Sequence, residues 1–302
     1  MTARHSRRGF ALVLALLALS VVGSICVGAL LRARAATTTV SFSISEIQSE
    51  LVLEGLSTAI RQWLEDSETD LSTVNWPARG RIQILNHESE NLSISVEAID
   101  LSGRLHVSRL QTFAMRGLPS DLQSIDPVQS RRIAASLQRN NLAPTLEQIV
   151  ALGSTLVLDA PLAVFPLSEE VPEGSTACEW LTTLGPGDLN VHSAPPELLR
   201  AAVHGLNPTL SRRAVESRQR GTRVDDDVAS ALVTERNRAT SRSSQNSRHV
   251  PLTTKSSALG FLISITHSGR IERWWVSLEK RPDRRGSQNT NWRIVERRRI
   301  DL

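Results

Sequence analysis

The sequence has little cysteine: Cys26 and Cys178 are the two residues of this type in 302. Cys26 lies inside a long apolar run near the start of the chain, whereas Cys178 lies in the polar remainder, so a disulfide bond between them is not expected. This placement also excludes a disulfide framework and a cysteine-based zinc site. Tyrosine is absent altogether, and the sequence offers no physical account of that absence.

Sequence patterns of common catalytic sites are also missing. The chain contains no serine nucleophile elbow, no HExxH motif, no glycine-rich phosphate loop and no pairing of cysteine with histidine. Its histidines and aspartates are scattered, as expected for a chain of this length. The sequence therefore predicts a structural protein rather than an enzyme, with no catalytic residue and no certain cofactor.

The formal net charge of +4 comes partly from the two ends of the chain. Arg4, Arg7 and Arg8 precede the apolar run, and a protein without them carries about +1 on its side chains. A second basic cluster, 297–299, is typical of a solvated strand edge. The basic composition therefore gives no reason to expect a nucleic-acid partner.

The apolar run extends from Phe10 to Leu31 without a charged residue, a length of 22 residues. A helix of that length spans roughly 30 Å, the hydrocarbon thickness of a bilayer. The run follows directly after a short basic leader that ends in Arg7-Arg8-Gly9. This pattern predicts a single membrane segment whose basic N-terminal side faces the cytoplasm.

Three interpretations of this start compete. A secretory signal peptide would use Ala33-Arg34-Ala35 as its cleavage site, but it would have a shorter apolar core. A plain signal anchor explains the length of the run, yet it needs no glycine before the first apolar residue. The stretch 7–12 resembles the junction of prepilins, which a peptidase cuts directly after glycine. That resemblance implies cleavage between Gly9 and Phe10, and N-methylation of Phe10.

Most pilin-like subunits carry a glutamate at the fifth residue after the cut, where it pairs with the N-terminal amine of a neighbouring subunit. The fifth residue here is Leu14, and no acid occurs between Phe10 and Thr39. An unpaired charge in lipid costs several kcal/mol, so the carboxylate normally helps to draw a subunit into the filament. In lacking it, the chain resembles minor pseudopilin K of type II secretion systems. In a plain anchor, Leu14 would be one more lipid-facing residue.

Beyond the membrane, the sequence predicts an amphipathic helix followed by strands. Between Ser45 and Asp66, apolar residues recur at helical spacing and predict one apolar face: Ile47, Leu51, Leu53, Leu56, Ile60, Trp63 and Leu64. Alternation predicts early strands, with turns at 86–89 and 100–103 between them. The early strands are predicted at 81–85, 92–99 and 104–107. Alternation also predicts late strands at 259–266, 270–280 and 291–299. The two sets should pair in one sheet.

The segment between the two sets of strands reads as helical, with amphipathic stretches at 128–137 and 145–152 and with prolines between helices. Within it, Leu189-Asn190-Val191, Ala194-Pro195 and Leu198-Leu199 resemble a motif of pseudopilin K. His192 and Ser193 stand where that family has asparagine and threonine.

The residue types of this motif indicate a structural role. We expect the Ser193 hydroxyl to cap a helix that begins near Pro195 and Pro196. Asn190 and His192 are interpreted as residues that stabilise a turn through hydrogen bonds.

The resemblance to pseudopilin K covers nearly the whole chain and implies an α+β fold. A long N-terminal pilin-like helix would pack on an antiparallel sheet that carries a large α-helical insertion domain. The implied domains are the leader (1–9), the transmembrane and periplasmic parts of the helix (10–31 and 32–66), the head (80–107 with 256–302), the helical insertion (108–220) and a polar loop or linker (221–255).

The function implied by the resemblance is that of a minor pseudopilin at the tip of the type II secretion pseudopilus. There it would support export of folded proteins across the outer membrane. The protein would lie in the inner membrane as a single-pass protein, with its main domain in the periplasm. The implied partners are other minor pseudopilins of the tip complex, the prepilin peptidase, the inner-membrane secretion platform and the lipid bilayer.

Two other functions stay open at this point. The segment 187–218 resembles the helix-hairpin-helix module of membrane-anchored competence proteins, which binds DNA backbones through glycine N–H groups. Asn207 and Pro208 depart from that pattern, although nearby arginines could contact phosphates: Arg212, Arg213, Arg218 and Arg220. The second alternative is a minor pilin of a type IV pilus system.

Calcium is a possible ligand at Asp225, Asp226 and Asp227, because carboxylate oxygens suit that ion. The spacing does not match an EF-hand loop, and the same residues are typical of a helix N-terminus or a solvated turn.

Overall fold

A computed structural model describes residues 27–34, 36, 46–65, 74–77, 81–90, 92–109, 128, 132, 135, 177–242, 250–267, 270–282 and 290–300. The chain divides into two compact units, Met1–Gly55 and Leu56–Leu302. Gly9, Phe10, Leu14 and most of the apolar run lie outside the described residues. Among the residues within these ranges, no helix is both long and apolar enough to cross a bilayer.

Within the described ranges, two helices precede the first strand: α1 at residues 27–34 and α2 at residues 46–65. The predicted apolar face of α2 is only partly correct, because Ile47 and Leu51 are 57% and 63% exposed. At 100° per residue these two lie on the side of the helix opposite the buried stripe. That stripe combines apolar residues with two serines: Ser49, Leu53, Ser57, Ile60 and Leu64.

A five-stranded antiparallel sheet has the order β1-β2-β7-β8-β9. Its strands are β1 (Ile82–Glu88), β2 (Leu92–Asp100), β7 (Ala258–His267), β8 (Arg270–Pro282) and β9 (Thr290–Ile300). The predicted turn at 86–89 is wrong in position, since β1 continues through Glu88 and the reversal begins at Ser89. The Ser89 N–H and hydroxyl both donate to the Leu92 carbonyl, at 2.9 and 3.1 Å, and close that reversal.

Pairing of strands from the two ends of the sequence confirms a central prediction. Strand β2 lies beside β7 along its whole length, with Leu92 opposite His267 and Asp100 opposite Leu259. The three late strands also agree with the alternation pattern to within one or two residues at each end. Strands β1 and β2 and the three late strands therefore form one sheet, from which the intervening chain departs at Asp100 and to which it returns at Ala258. The predicted strand at 104–107 is wrong as a member of this sheet, because helical turns at 101–103 and 107–109 flank it. Leu105 and His106 pair in parallel with Leu181 and Thr182 instead.

The intervening chain contributes short strands and helices. The short strands pair in parallel, β3 (Leu105–His106) with β4 (Leu181–Thr182) and β5 (Leu189–Asn190) with β6 (Leu252–Thr253). The helices are α3 (Pro196–Ala202), α4 (Pro208–Gln219) and α5 (Asp226–Arg242). Residues 128, 132 and 135 are also helical, in agreement with the predicted helix at 128–137.

Helix α5 is a correction, because 221–255 reads as a polar loop or linker in the sequence. Val228, Ala229 and Leu232 are buried at helical spacing, and Asp225 caps the helix start. The apolar stripe is narrow, so the many polar residues of this segment dominate its sequence pattern. Residues 243–249, the most polar part of the predicted loop, lie outside the described residues.

The largest described core lies on one face of the sheet. Ile99, Leu262, Trp275 and Ile300 belong to one buried cluster with residues of α3, α4, α5 and the short strands. Neighbours in β7 that point to the other face, Phe261, Ile263 and Ile265, are also buried. Because both faces of β7 are covered, this strand reads as a nearly continuous apolar run.

Candidate functional site

The Leu189-Asn190-Val191 motif is a buried connection between the helices and the last part of the chain. Leu189 and Val191 donate from their backbone N–H groups to the carbonyls of Pro251 and Thr253, both at 2.9 Å. All three motif residues are at most 1% exposed. A two-residue strand offers few hydrogen bonds, so its side chains must contribute to holding it in place.

Asp100 is the acceptor for these side chains. It ends β2 and is 2% exposed. Its Oδ2 atom accepts hydrogen bonds from Asn190 Nδ2 at 2.9 Å, Ser193 Oγ at 2.6 Å and Ser256 Oγ at 2.7 Å. Its Oδ1 atom accepts from the Ser102 N–H at 2.9 Å. We call this group the Asp100 junction; it joins residues 100–102, 190–193 and 256.

Close approach of two backbones completes the Asp100 junction. Ser102 Oγ accepts from the N–H groups of Ser257 and Ala258, at 2.8 and 3.0 Å. The next residue, Gly103, lies so near Ser193 that an added Cβ would stand 2.5 Å from its Oγ atom. Only glycine fits at that position without moving Ser193 away from Asp100.

Two buried arginines surround the Asp100 junction. Arg104 Nη1 donates to the Ser193 carbonyl at 3.5 Å, and Arg218 Nε donates to the Ala194 carbonyl at 3.1 Å. Burial and the nearby charge of Arg104 lower the pKa of Arg218 to about 10, while Asp100 opposes the shift. Burial also lowers the pKa of Arg104, and Asp100 again opposes it. Asp100 therefore compensates cationic charge that would otherwise be costly to bury.

The position of Ser193 corrects the predicted helix cap. Pro195 occupies the N-cap of α3 and makes no side-chain cap, while Pro196 follows at the first helical position. Ser193 lies two residues before the N-cap, and its hydroxyl donates to Asp100 instead. Ala194, Leu198 and Leu199 are fully buried, so this part of the motif forms core.

The prediction for Asn190 is confirmed, and that for His192 is only partly so. Asn190 Oδ1 accepts from the His192 N–H at 3.1 Å, which closes the turn after β5. The imidazole of His192 reaches the start of α5 instead, with Nε2 3.4 Å from Asp226 Oδ1 and 3.5 Å from Arg223 Nη2. Burial and the charge of Arg223 lower the pKa of His192, against an opposing effect of Asp226.

Two of the three aspartates proposed for calcium, Asp225 and Asp226, have structural roles at the start of α5. Asp225 Oδ1 accepts from the N–H groups of Asp227 and Val228, at 3.1 and 3.3 Å. Asp226 forms a two-pronged ion pair with Arg223, at 2.5 and 3.1 Å. This geometry agrees with the interpretation as a helix N-terminus. Within the described part of the chain, no three His, Cys, Asp or Glu side chains cluster to hold a metal; calcium binding stays a prediction.

The hairpin between α3 and α4 is held from the side of α5. The Asn207 side chain caps α4 by accepting from Thr209 N and Leu210 N, at 3.0 and 3.3 Å. Glu235 accepts from the Asn207 N–H at 3.1 Å, and Arg236 donates to the Ala202 carbonyl. The N–H groups of Asn207, Thr209 and Leu210, which lie where a DNA-binding hairpin would hold a phosphate, are therefore occupied within the protein.

Sequence reasoning missed the central residues of the site. The sequence places Asp100 only in a turn and offers Arg218 as a phosphate contact, although Arg218 is fully buried. A signal for Arg218 exists, since it lies four residues after Ala214 on the buried face of α4. Gly9, Phe10 and Leu14 lie beyond the described ranges, so the structure does not place them.

Comparison with known proteins finds little. Neither a protein-family model nor a curated protein matches the chain. A chain of the crystal structure of the GspK-GspI-GspJ complex, from the type 2 secretion system of enterotoxigenic Escherichia coli, is similar at 12% identity and a TM-score of 0.35. The similarity covers 85% of this chain and 99% of that chain. A likeness this low does not bear on what this chain does.

Proposed function

We propose that the protein is a minor pseudopilin that acts at the tip of a type II secretion pseudopilus. The observation that carries this proposal is the start of the sequence, in which a basic leader, Gly9 and 22 uncharged residues follow one another directly. A plain anchor would not need that glycine. The absence of an acid at Leu14 fits a subunit with no other subunit above it.

The head of the protein is consistent with this role. The antiparallel sheet, formed by strands from 82–100 and 258–300, carries a helical body that begins and ends beside Asp100. Such a sheet can support a large insertion without losing its own pairing. The Asp100 junction serves the fold, because three of the four hydrogen bonds that Asp100 accepts hold distant chain segments together.

Inner-membrane location, removal of residues 1–9, methylation of Phe10 and pairing with other minor pseudopilins are parts of the same proposal. A leader peptidase would release Phe10 as the new N-terminus. The apolar segment would remain in the bilayer until the subunit enters the filament.

The DNA-binding alternative has weaker support. Glu235 lies against the hairpin loop at 3.1 Å from the Asn207 N–H, where its carboxylate would repel a phosphate. Arg218 makes internal bonds to the carbonyls of Ala194 and Thr222. A minor pilin of a type IV pilus shares the same leader, so only a cellular experiment separates it from the secretion role.

Deletion of the gene in its own organism tests the proposed function. We expect loss of folded exoproteins from the culture medium, with their accumulation in the periplasm, and recovery when the full-length gene is restored. DNA uptake and pilus-dependent motility should not change. Normal secretion combined with loss of DNA uptake would favour the competence alternative, and loss of motility alone would favour a type IV pilus.

A further inference from the structure

A groove runs between α3 and α4 on the helical body. Among the described residues, it encloses about 420 Å³. That volume is within the range of sites that accept ligand-sized groups. Its floor is apolar and consists of Val203, Leu206 and Val215, which are 2%, 9% and 8% exposed. A ligand with one or two apolar side chains could therefore cover this floor.

The rim of the groove is mainly basic. Arg200, His204 and Arg212 line it and are exposed, whereas Glu216 is its one acid. Arg212 Nε is 3.9 Å from Glu216 Oε1, a long contact between exposed groups that adds little stability. The guanidinium groups remain able to meet a carboxylate, for which their planar fork of donors is suited.

The backbone around the groove offers little to an anion. The start of α4 is capped by Asn207, the Asn207 N–H binds Glu235, and Ser211 Oγ donates to the Val203 carbonyl at 3.3 Å. Recognition must therefore come from arginine side chains at the rim and from the apolar floor. A peptide with an apolar side chain between separate carboxylates fits this arrangement better than a nucleic-acid backbone, whose continuous charge would meet Glu216 and which has no apolar side chain to cover the floor.

We infer that the α3–α4 groove binds an acidic segment of a partner protein, in which a leucine-like side chain lies between glutamates or aspartates. The apolar side chain covers Val203, Leu206 and Val215. The flanking carboxylates pair with Arg200 and Arg212. This inference depends on charge complementarity at the groove and does not require the proposed role in secretion.

A peptide-binding measurement with the full-length protein in detergent tests the inference. The probe is a fluorescein-labelled hexapeptide of the composition Glu-Leu-Glu-Glu-Leu-Glu, followed by fluorescence anisotropy at low and moderate salt. We expect saturable binding that weakens with salt. Replacement of the glutamates by glutamines, or of the leucines by serines, should each reduce it.

Two charge-reversal variants locate the site. Arg200→Glu with Arg212→Glu should weaken peptide binding by at least roughly tenfold, the effect of losing two surface ion pairs and introducing repulsion. Arg213→Glu with Arg238→Glu makes the same change of net charge outside the groove and should have little effect. Circular dichroism establishes that both variants are folded.

Three results would overturn the inference. Equal weakening by the two variants would mean that the peptide responds to overall charge. Absence of peptide binding to the unaltered protein would mean that the groove has no such ligand. Binding of a DNA duplex that is lost only in the groove variant would assign the site to phosphates instead.

Discussion

Asp100 accepts four hydrogen bonds from three separate segments of the chain and lies near two buried guanidinium groups. The main effect of removing this carboxylate would be to leave buried hydrogen-bond donors without their acceptor. Without it, Ser193 and Ser256 would each hold a buried hydroxyl with no acceptor at that point, and Asn190 Nδ2 would keep only its contact with Ser256 Oγ.

Replacing Asp100 by alanine should lower the free energy of unfolding by about 3–5 kcal/mol, because several buried donors lose their acceptor at once and each costs about 1–3 kcal/mol. Urea denaturation of the detergent-solubilised protein measures this change. The matched control is Asp225→Ala, which removes the cap of α5 and should cost about 1 kcal/mol. Similar losses for the two variants would show that the Asp100 junction is not the stronger contact.

His192 should make stability depend on pH. Its pKa is lowered from 6.5 in the folded protein, mainly by burial and then by Arg223. As the pH falls below 6.5, the unfolded chain therefore takes up this proton before the folded protein does, so stability decreases. His106, whose pKa burial also lowers, should add to the same trend.

Denaturation at a series of pH values tests the role of His192. In His192→Asn, the loss of stability between neutral pH and about pH 5 should be smaller than in the unaltered protein, because one titrating group is gone. His204→Asn, a change at an exposed histidine, is the control. A pH dependence that is the same in all three proteins would contradict this account.

At the scale of elements, the packing of β7 against β8 depends on the absence of a side chain at Gly260. Gly260 lies under the Trp275 ring, and a Cβ atom built there would overlap the ring atoms Cη2 and Cζ2. Trp275 is 3% exposed and belongs to the main buried cluster. The ring therefore has little room to move aside.

Gly260→Ala should destabilise the protein by about 1–3 kcal/mol, as expected for overpacking of a core. Gly55→Ala in α2 is the opposite case, since no atom lies within 4 Å of its added Cβ. In the helix interior, that change should stabilise by about 0.5–1 kcal/mol. Thermal unfolding of both variants compares the effects, and a neutral Gly260→Ala would mean that Trp275 is loosely held.

The elements that could be predicted from sequence are those in which local pattern and burial agree. Strands β8 and β9 alternate along their length, and both appear where the alternation is found. Helix α5 could not be predicted, because Val228, Ala229 and Leu232 form a stripe too narrow to stand out among polar neighbours. Ile47 and Leu51 show the opposite error, because their helical spacing predicts burial whereas both side chains are exposed.

The candidate site shows the same division. The Leu189-Asn190-Val191 motif was recognised as structural from its residue types, and Asn190 does close a turn. Its partner Asp100 lies ninety positions earlier, and no local pattern connects the two. A contact between distant segments depends on the tertiary fold, and that is why the role of Ser193 was also misassigned.

At the scale of the whole molecule, the proposed filament role depends on the start of the sequence. The leader and the junction at Gly9 decide whether the apolar segment acts as a prepilin stem or as a plain anchor. Gly9→Leu should block removal of the leader and abolish secretion while the protein stays in the membrane. Ala35→Leu, which alters the competing signal-peptide site, should leave processing and secretion unchanged.

Mass spectrometry of the membrane-bound protein, isolated from cells that contain a prepilin peptidase, tests the central proposal most directly. A pseudopilin should have its N-terminus at Phe10, with a methyl group on that residue and with residues 1–9 absent. An intact leader in those cells, or an N-terminus created by cleavage after Ala35, would contradict the proposal that this chain is a pseudopilin.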